Sequence, residues 1–296
     1  MKIFVTGATG FIGSAIIPEL INAGHQVLGL TRSDAGANSL SAAGAEVHRG
    51  DLEDLESLRS GAARSDGVIH CAFNHDFSKF AANCEMDKRA IEVLGAALAG
   101  SDRLLIVSSG LALGSPKRPV TEDVDPPEHS PMPRVSEQTP VALRSQGVKT
   151  AVVRLPQVHN TVKQGLVTYL VAVAREKGVS AYVEEGRNRW SAAHVLDVAR
   201  LYRLALEKNE SGARYHAVGE EGVALRDIAE AIGKGLKVPV VSISRGEAGA
   251  HFGFLGMFAG LDLAASSAQT QEWLAWRPTG PGLLADLAQM RYFDAS

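Results

Sequence analysis

The sequence has little from which to build a disulfide frame, a metal centre or a membrane anchor. Its 296 residues hold two cysteines, Cys71 and Cys84, with no Cys-x-x-Cys pair. Two such thiols make neither a disulfide framework nor a zinc site. Cys71, inside the apolar run VIHCAF, reads instead as a small buried side chain. The nine histidines are scattered and contain no His-Glu-x-x-His motif, so no metal is expected. No apolar run approaches the roughly 18 residues of a membrane-spanning helix. Thirty basic residues against 33 acidic ones leave a formal charge of −3, which gives no electrostatic reason for a nucleic-acid or membrane partner. The start, MKIFVTGATG, is a strand entering a glycine turn rather than an apolar signal core, so a cytoplasmic location is expected. Linker-like composition breaks, repeats and low-complexity tracts are also missing.

What is present is alternation. Short β-rich runs at KIFVTG, HQVLGLT, AEVHRG, GVIHCAF, RLLIVSS and TAVVRL are separated by helix-like stretches: FIGSAIIPELINAG, DLEDLESLRSGAA, CEMDKRAIEVLGAALAG and SEQTPVALRSQG. Near-continuous apolar strands between amphipathic helices argue for an α/β fold with a parallel sheet covered on both faces. Right-handed crossovers then make it a Rossmann-type doubly wound sheet. Residues 1–160 are expected to form a dinucleotide-binding domain, with 192–218 returning to it. Residues 161–296 are expected to form a smaller C-terminal substrate lobe, in which SAYVEEGRNRW reads as one strand with a turn. The glycine- and aromatic-rich segment 249–267 reads as a cap or lid.

The motif carrying most chemistry is TGATGFIG, with Gly7, Gly10 and Gly13 directly after the first strand. Glycine is needed where backbone approaches a pyrophosphate, and the following helix N-terminus offers unpaired amides and a positive dipole to it. With this opening, the chain resembles the short-chain dehydrogenase/reductase superfamily, in its extended and atypical branch related to NAD-dependent epimerases and dehydratases. RGDLEDLESL, VIHCAF, RLLIVSSGLALG, AAHVLDVARLYRLALE and WLAWRPTGPGLLADL extend that similarity over nearly the whole length. The resemblance implies cofactor contacts at Gly7, Thr9, Gly10, Phe11 and Ile12 around the diphosphate. It also implies Asp51 and Leu52 beside adenine, Ala72 and Phe73 along the ribose, and Pro156 near the nicotinamide. His194 and Asp197, within HVLDVA, read as packing and capping residues.

The second strand ends LGLTRS, where an NAD-specific site usually places an acid for the ribose hydroxyls. Arg32 stands there instead, and its planar fork suits a 2′-phosphate. NADP is therefore the expected cofactor, ahead of NAD.

The resemblance also implies a serine after the fifth strand, matched by Ser109, and a Tyr-x-x-x-Lys motif, which is missing. Family spacing puts the tyrosine on Arg134 and the lysine on Gln138, within PMPRVSEQTP. Aligning the common Ser–Lys pair with Ser136–Glu137 puts them on Pro133 and Glu137 instead. No tyrosine occurs between Ser109 and Asn160, so neither register restores the phenol. Arginine donates no proton near neutrality, but it stabilises an oxyanion or holds a carboxylate. The assignment is Ser109 and Arg134 as catalytic groups, with Glu137 leading the proton carriers over His75, Asp76, His129 and His159. The expected function is an NADP(H)-dependent oxidoreductase or epimerase/dehydratase-like enzyme acting on a small carbonyl or hydroxyl compound. A non-catalytic NADP(H) sensor and an interaction protein are the alternatives. A homodimer is expected, pairing through the helices at CEMDKRAIEVLGAALAG and SEQTPVALRSQG, with Ile91, Leu94 and Leu98 as an apolar face.

Overall fold

Strands of alternating inward side chains account for the main sheet. The computed structural model describes residues 1–111, 118–125 and 133–291. Its first half runs β1 (Lys2–Thr6), α1 (Gly13–Asn22), β2 (Gln26–Thr31), α2 (Asp34–Ala42), β3 (Glu46–Arg49), α3 (Leu55–Ala63), β4 (Gly67–His70), α4 (Phe80–Leu98), β5 (Leu104–Gly110), α5 (Gln138–Arg144) and β6 (Lys149–Leu155). There follow β7 (Gln157–His159), α6 (Val167–Lys177), β8 (Ser180–Val183), β9 (Arg189–His194), α7 (Val195–Lys208), β10 (Arg214–His216), β11 (Glu220–Ala224), α8 (Leu225–Leu236) and β12 (Val240–Ile243). The chain closes with α9 (Arg245–Phe252), α10 (Gly256–Ala259), α11 (Ala268–Leu274) and α12 (Leu283–Gln289).

Seven strands form one parallel sheet in the order β10-β6-β5-β4-β1-β2-β3. This is a Rossmann-type doubly wound fold, and the strand order reverses between β1 and β4, where such sheets open a crevice beyond their carboxyl ends. Period-2 alternation supplies both cores. Ile3, Val5, Ile69 and Ile106 pack with Ile16, Ile17, Leu201 and Tyr202 of α1 and α7. Phe4, Val68, Leu105 and Val107 pack with Leu58, Ile91, Leu94 and Leu98 of α3 and α4. These last three residues are fully buried within the single chain. The apolar face expected to make a dimer therefore covers the sheet instead.

Between 192 and 218, α7 packs on α1 and β10 joins β6, while residues 192–194 complete β9 of a separate sheet ordered β11-β9-β7. SAYVEEGRNRW is two strands rather than one. Glu184 and Gly186 take positive φ (52° and 65°) and turn the chain, so β8 pairs with β12 and β9 with β7 and β11. α2, which has only Gly36 and Leu40 buried, carries too weak an apolar stripe to be seen in the sequence. The expected lid is α9, a 3-10 turn and α10, whose Phe252, Leu255 and Ala259 pack in a further core with Leu170, Ile228 and Leu283 while Phe254 and Met257 remain exposed.

Residues 276–286 are pinned across the molecule. His194 caps α7, and Asp197 accepts from the amides of Thr279 (3.1 Å) and Gly280 (2.7 Å). The Trp276 indole donates to the Asp197 carbonyl at 3.0 Å. Glu220 accepts from the Leu283 amide at 2.6 Å, and Asp286 meets His159 Nδ1 at 2.7 Å. His194 and Asp197 thus cap and clamp.

Candidate active site

The glycine loop is built for a close neighbour. Gly7 has φ 67°, and a Cβ there would lie 2.7 Å from the Ala72 amide nitrogen. A Cβ on Gly13 would lie 2.1 Å from the Gly7 carbonyl. Larger side chains would force the turn away from β4 and away from the mouth of α1. Gly10 donates its amide to the Gly7 carbonyl at 2.9 Å, which closes the turn. Ile12 stands at the N-cap of α1 and supplies no side-chain acceptor, so the positive end of the helix faces outward beside Thr9 and Phe11. This cradle fits a dinucleotide diphosphate.

The flanking positions have separate settings. Arg32 is exposed between the end of β2 and Ser33, the N-cap of α2; among the described residues its guanidinium has no hydrogen-bond or ion-pair partner. Asp51 accepts from the amides of Glu53 (2.8 Å) and Asp54 (3.0 Å), while Asp54 itself caps α3. Leu52 packs at the rim of the core under β2 and β4. Ala72 and Phe73 leave β4 beside Gly7, and Pro156 follows β6, whose Leu155 lies opposite Gly110.

Arg134 lies against the carboxyl end of β5. Its Nη2 points to the Ser108 carbonyl at 3.5 Å, and Phe73 covers one face of the guanidinium with its ring centroid 4.2 Å from Cζ. Nε donates to Ser136 Oγ at 2.8 Å, and that hydroxyl donates to Asp87 Oδ2 at 2.6 Å. Asp87 Oδ1 meets His70 Nε2 at 3.0 Å, and His70 Nδ1 meets Thr6 Oγ1 at 2.8 Å. A chain of hydrogen bonds therefore runs from the residue preceding Gly7 to Arg134. Thr6, His70, Asp87 and Ser136 are all buried. One neutral tautomer, with the proton on Nε2, satisfies every group: Thr6 donates to Nδ1 and Nε2 donates to Asp87. Burial pushes the Asp87 carboxyl upward, but the bonds from His70 and Ser136 and the charge of Arg134 hold it below the usual carboxylate range. Burial likewise lowers the Arg134 guanidinium, against the opposing pull of Asp87.

Ser109 is buried next to this group, opposite Arg154 in the ladder; among the described residues its Oγ has no hydrogen-bond partner. Its neighbour Ser108 points to the other face, where Oγ donates to the His70 carbonyl (2.8 Å) and lies 2.6 Å from the hydroxyl of Tyr202. That phenol reaches the serine pair from α7. It is fully buried, and desolvation holds its pKa well above the ordinary value.

Glu137 lies one residue beyond Ser136 and turns the other way. Its carboxylate takes Arg154 Nη2 at 2.6 Å and Nε at 2.9 Å, and Arg214 Nε at 3.0 Å. Both oxygens are occupied and buried, so Glu137 is set apart from Arg134. Of the other candidates, Asp76 caps the 3-10 turn at Phe77–Lys79, and His159 is buried against Asp286. His129 lies outside the described residues. His75 is exposed near Arg134, edge-on to Phe73 at 5.3 Å. Desolvation, then the positive charges of Arg134 and Lys163, lower its pKa.

Three positions of the candidate site escaped sequence reasoning. His70 ends the apolar strand β4, Asp87 sits in the charged run CEMDKRA with no motif to mark it, and Lys163 lies in the loop after β7. Lys163 Nζ is 5.9 Å from the Phe11 ring of the glycine loop, a contact that no spacing announces.

The profile of the NAD dependent epimerase/dehydratase family matches residues 3–219. A Schizosaccharomyces pombe protein, "Uncharacterized protein C2A9.02", is 47% identical over 99% of this chain and 100% of its own length. A sterol-4-alpha-carboxylate 3-dehydrogenase (decarboxylating) from Dictyostelium discoideum is 28% identical over 76% of this chain and 73% of its own. Among solved structures, the Thermus thermophilus UDP-glucose 4-epimerase in complex with NAD superposes with a TM-score of 0.76 at 19% identity, covering 100% of both chains. The chain belongs to the NAD dependent epimerase/dehydratase family.

Proposed function

We propose that the chain is an NADP(H)-dependent oxidoreductase that interconverts a small carbonyl compound and its alcohol without a phenol. The observation carrying this reading is Arg134 at the carboxyl end of β5, held from behind by Ser136 and Asp87. NADP(H), when bound, supplies or accepts the hydride. Ser109 orients the substrate oxygen. Arg134 stabilises the negative charge that gathers on that oxygen as the adjacent carbon is reduced. The proton comes from water, since Glu137 is committed to Arg154 and Arg214. The relative named as a 3-dehydrogenase supports dehydrogenation as the reaction type. Arg32 supports NADP(H) over NAD(H). A cytoplasmic homodimer fits the family resemblance, with pairing through outward sides of α4 and α5; light scattering at micromolar concentration checks it.

The test is NADPH oxidation across a carbonyl panel by the wild-type protein, Ser109→Ala, Arg134→Ala and Arg134→Lys, with cofactor affinity measured alongside. Turnover lost in Arg134→Ala and partly restored in Arg134→Lys, at unchanged cofactor affinity, supports the assignment. Full activity in both alanine variants overturns it. The lack of a tyrosine between Ser109 and Asn160 favours one competing reading, a redox sensor. Tight NADP(H) binding with no turnover of any substrate decides for the sensor.

A further inference from the structure

Two cations and a row of aromatic rings surround His75, whose ring lies 5.3 Å from Phe73 and 6.2 Å from Phe77. Arg134 has Phe73 on one face, Ser136 on Nε and the Ser108 carbonyl 3.5 Å from Nη2, so Nη1 is the end without a partner among the described residues. A guanidinium N–H gives a carboxylate a charge-assisted hydrogen bond. Lys163 is exposed, stands over Phe11, and among the described residues its ammonium has no carboxylate partner. Both charges bear on His75, with no acid among the charges acting there. From Phe73 the rings continue through Phe80 (6.2 Å) to Phe77 (5.8 Å further), and Phe77 stacks on Phe254 at 4.5 Å and 17°. Tyr169 closes the far side, edge-on to Phe77 (5.9 Å) and to Phe254 (5.4 Å). The wall joins the segment after β4 to α6 and to the turn before α10. Phe254 keeps 39% of its surface exposed, which leaves apolar area for a ligand to cover.

We infer that the substrate is an organic carboxylate with a flat apolar body: the carboxylate lies between Arg134 and Lys163, and the body lies along Phe73, Phe77 and Phe254. This rests on the proposed function for the identity of the cleft, and it adds what the cleft selects. The two ends have separate tasks. The cations discriminate charge, because an uncharged amide of the same shape cannot form the charge-assisted pair. The rings discriminate shape and hydrophobicity without regard to charge.

The experiment titrates trans-cinnamate and trans-cinnamamide into the full-length protein, both cofactor-free and saturated with NADP+, by calorimetry or ligand-observed NMR. Cinnamate should bind about tenfold tighter than cinnamamide or better. Lys163→Gln should remove most of that preference while leaving cinnamamide unchanged; Arg134→Gln, at the residue assigned to the substrate oxygen, should weaken both probes and cinnamate more, and Phe254→Ala should weaken both alike. Lys163 lies on an exposed loop, so its variant reports even if Arg134→Gln folds poorly. Equal affinity for the two probes, failure of both to bind, or a preference untouched by Lys163→Gln overturns the inference. So does a Lys163→Gln variant that loses NADPH affinity alone, which would assign the lysine to the cofactor. If NADP+ itself does not bind, the proposed function fails, while the cofactor-free titration still decides the anion site.

Discussion

Arg134 and Arg154 both flank the carboxyl end of β5, and both are held by acids, but their surroundings differ in kind. Arg154 is completely buried. Its Nε and Nη2 meet Glu137, Nη2 also meets the Val124 carbonyl, and Nη1 lies 3.1 Å from His216 Nε2. Every direction is taken, so this charge can do nothing but hold β6, β10 and the start of α5 together. Arg134 is held less completely: Ser136 takes Nε, the Ser108 carbonyl lies 3.5 Å from Nη2, and Nη1 has no partner among the described residues. A saturated buried charge is scaffold, whereas a charge anchored from behind and open in front is available to a ligand.

That contrast is broken most forcefully at Glu137. Glu137→Ala would leave Arg154 buried without its counter-charge beside Arg214, at a cost of about 3–5 kcal/mol in urea unfolding. A loss below ~1 kcal/mol would mean the cluster is not scaffold. Arg134→Ala should do the opposite: turnover falls by about 10²–10³, while the unfolding midpoint moves far less than for Glu137→Ala.

Acid should separate the regions next. Burial pushes His216 down to about 4 from its ordinary 6.5, and its neutral ring accepts from Arg154 while Nδ1 donates to the Ser266 carbonyl at 2.7 Å. Between those two values the unfolded chain takes up a proton that the folded chain refuses. Stability therefore falls as pH drops from 6.5 towards 4, by up to roughly 3 kcal/mol from this group. His216→Gln should flatten that part of the stability profile. A slope unchanged by the substitution would place the acid sensitivity elsewhere. The smallest effect is expected at Arg32. Arg32→Ala should reduce NADPH affinity by about ten- to hundredfold and leave NADH unchanged, measured by nicotinamide fluorescence. Equal affinities in the wild-type protein would remove the case for NADP specificity.

The parallel sheet was legible because its strands are buried on both faces and read as apolar runs, and because Gly7, Gly10 and Gly13 are required where β1 meets β4. α2 was not legible, since a surface helix with two buried residues leaves almost no periodic signal. The split of β8 from β9 depends on Glu184 adopting positive φ, which no residue preference at glutamate announces. In the candidate site, the expectation for Ser109 and Arg134 rests on family spacing, whereas Asp87 and His70 join through contacts 49 and 17 residues away along the chain, from Ser136 to Asp87 and from Asp87 to His70. Local sequence carries no trace of such pairings. Glu137 illustrates the converse: one residue past Ser136, it faces the opposite side of the turn, and its position in the chain does not reveal which way it points.

The pinned C-terminus has a mechanical meaning. Asp197 on α7 grips residues 279 and 280, and within the next few positions Glu220 and His159 grip 283 and 286. Residues 279–286 therefore work as a brace between the helix that backs the main sheet and the strands β7 and β11. A hinge needs one free edge, and this brace ties down an edge that would otherwise open. Relative travel of α7 against β7 and β11 must then either carry α12 along or break three charged anchors at once.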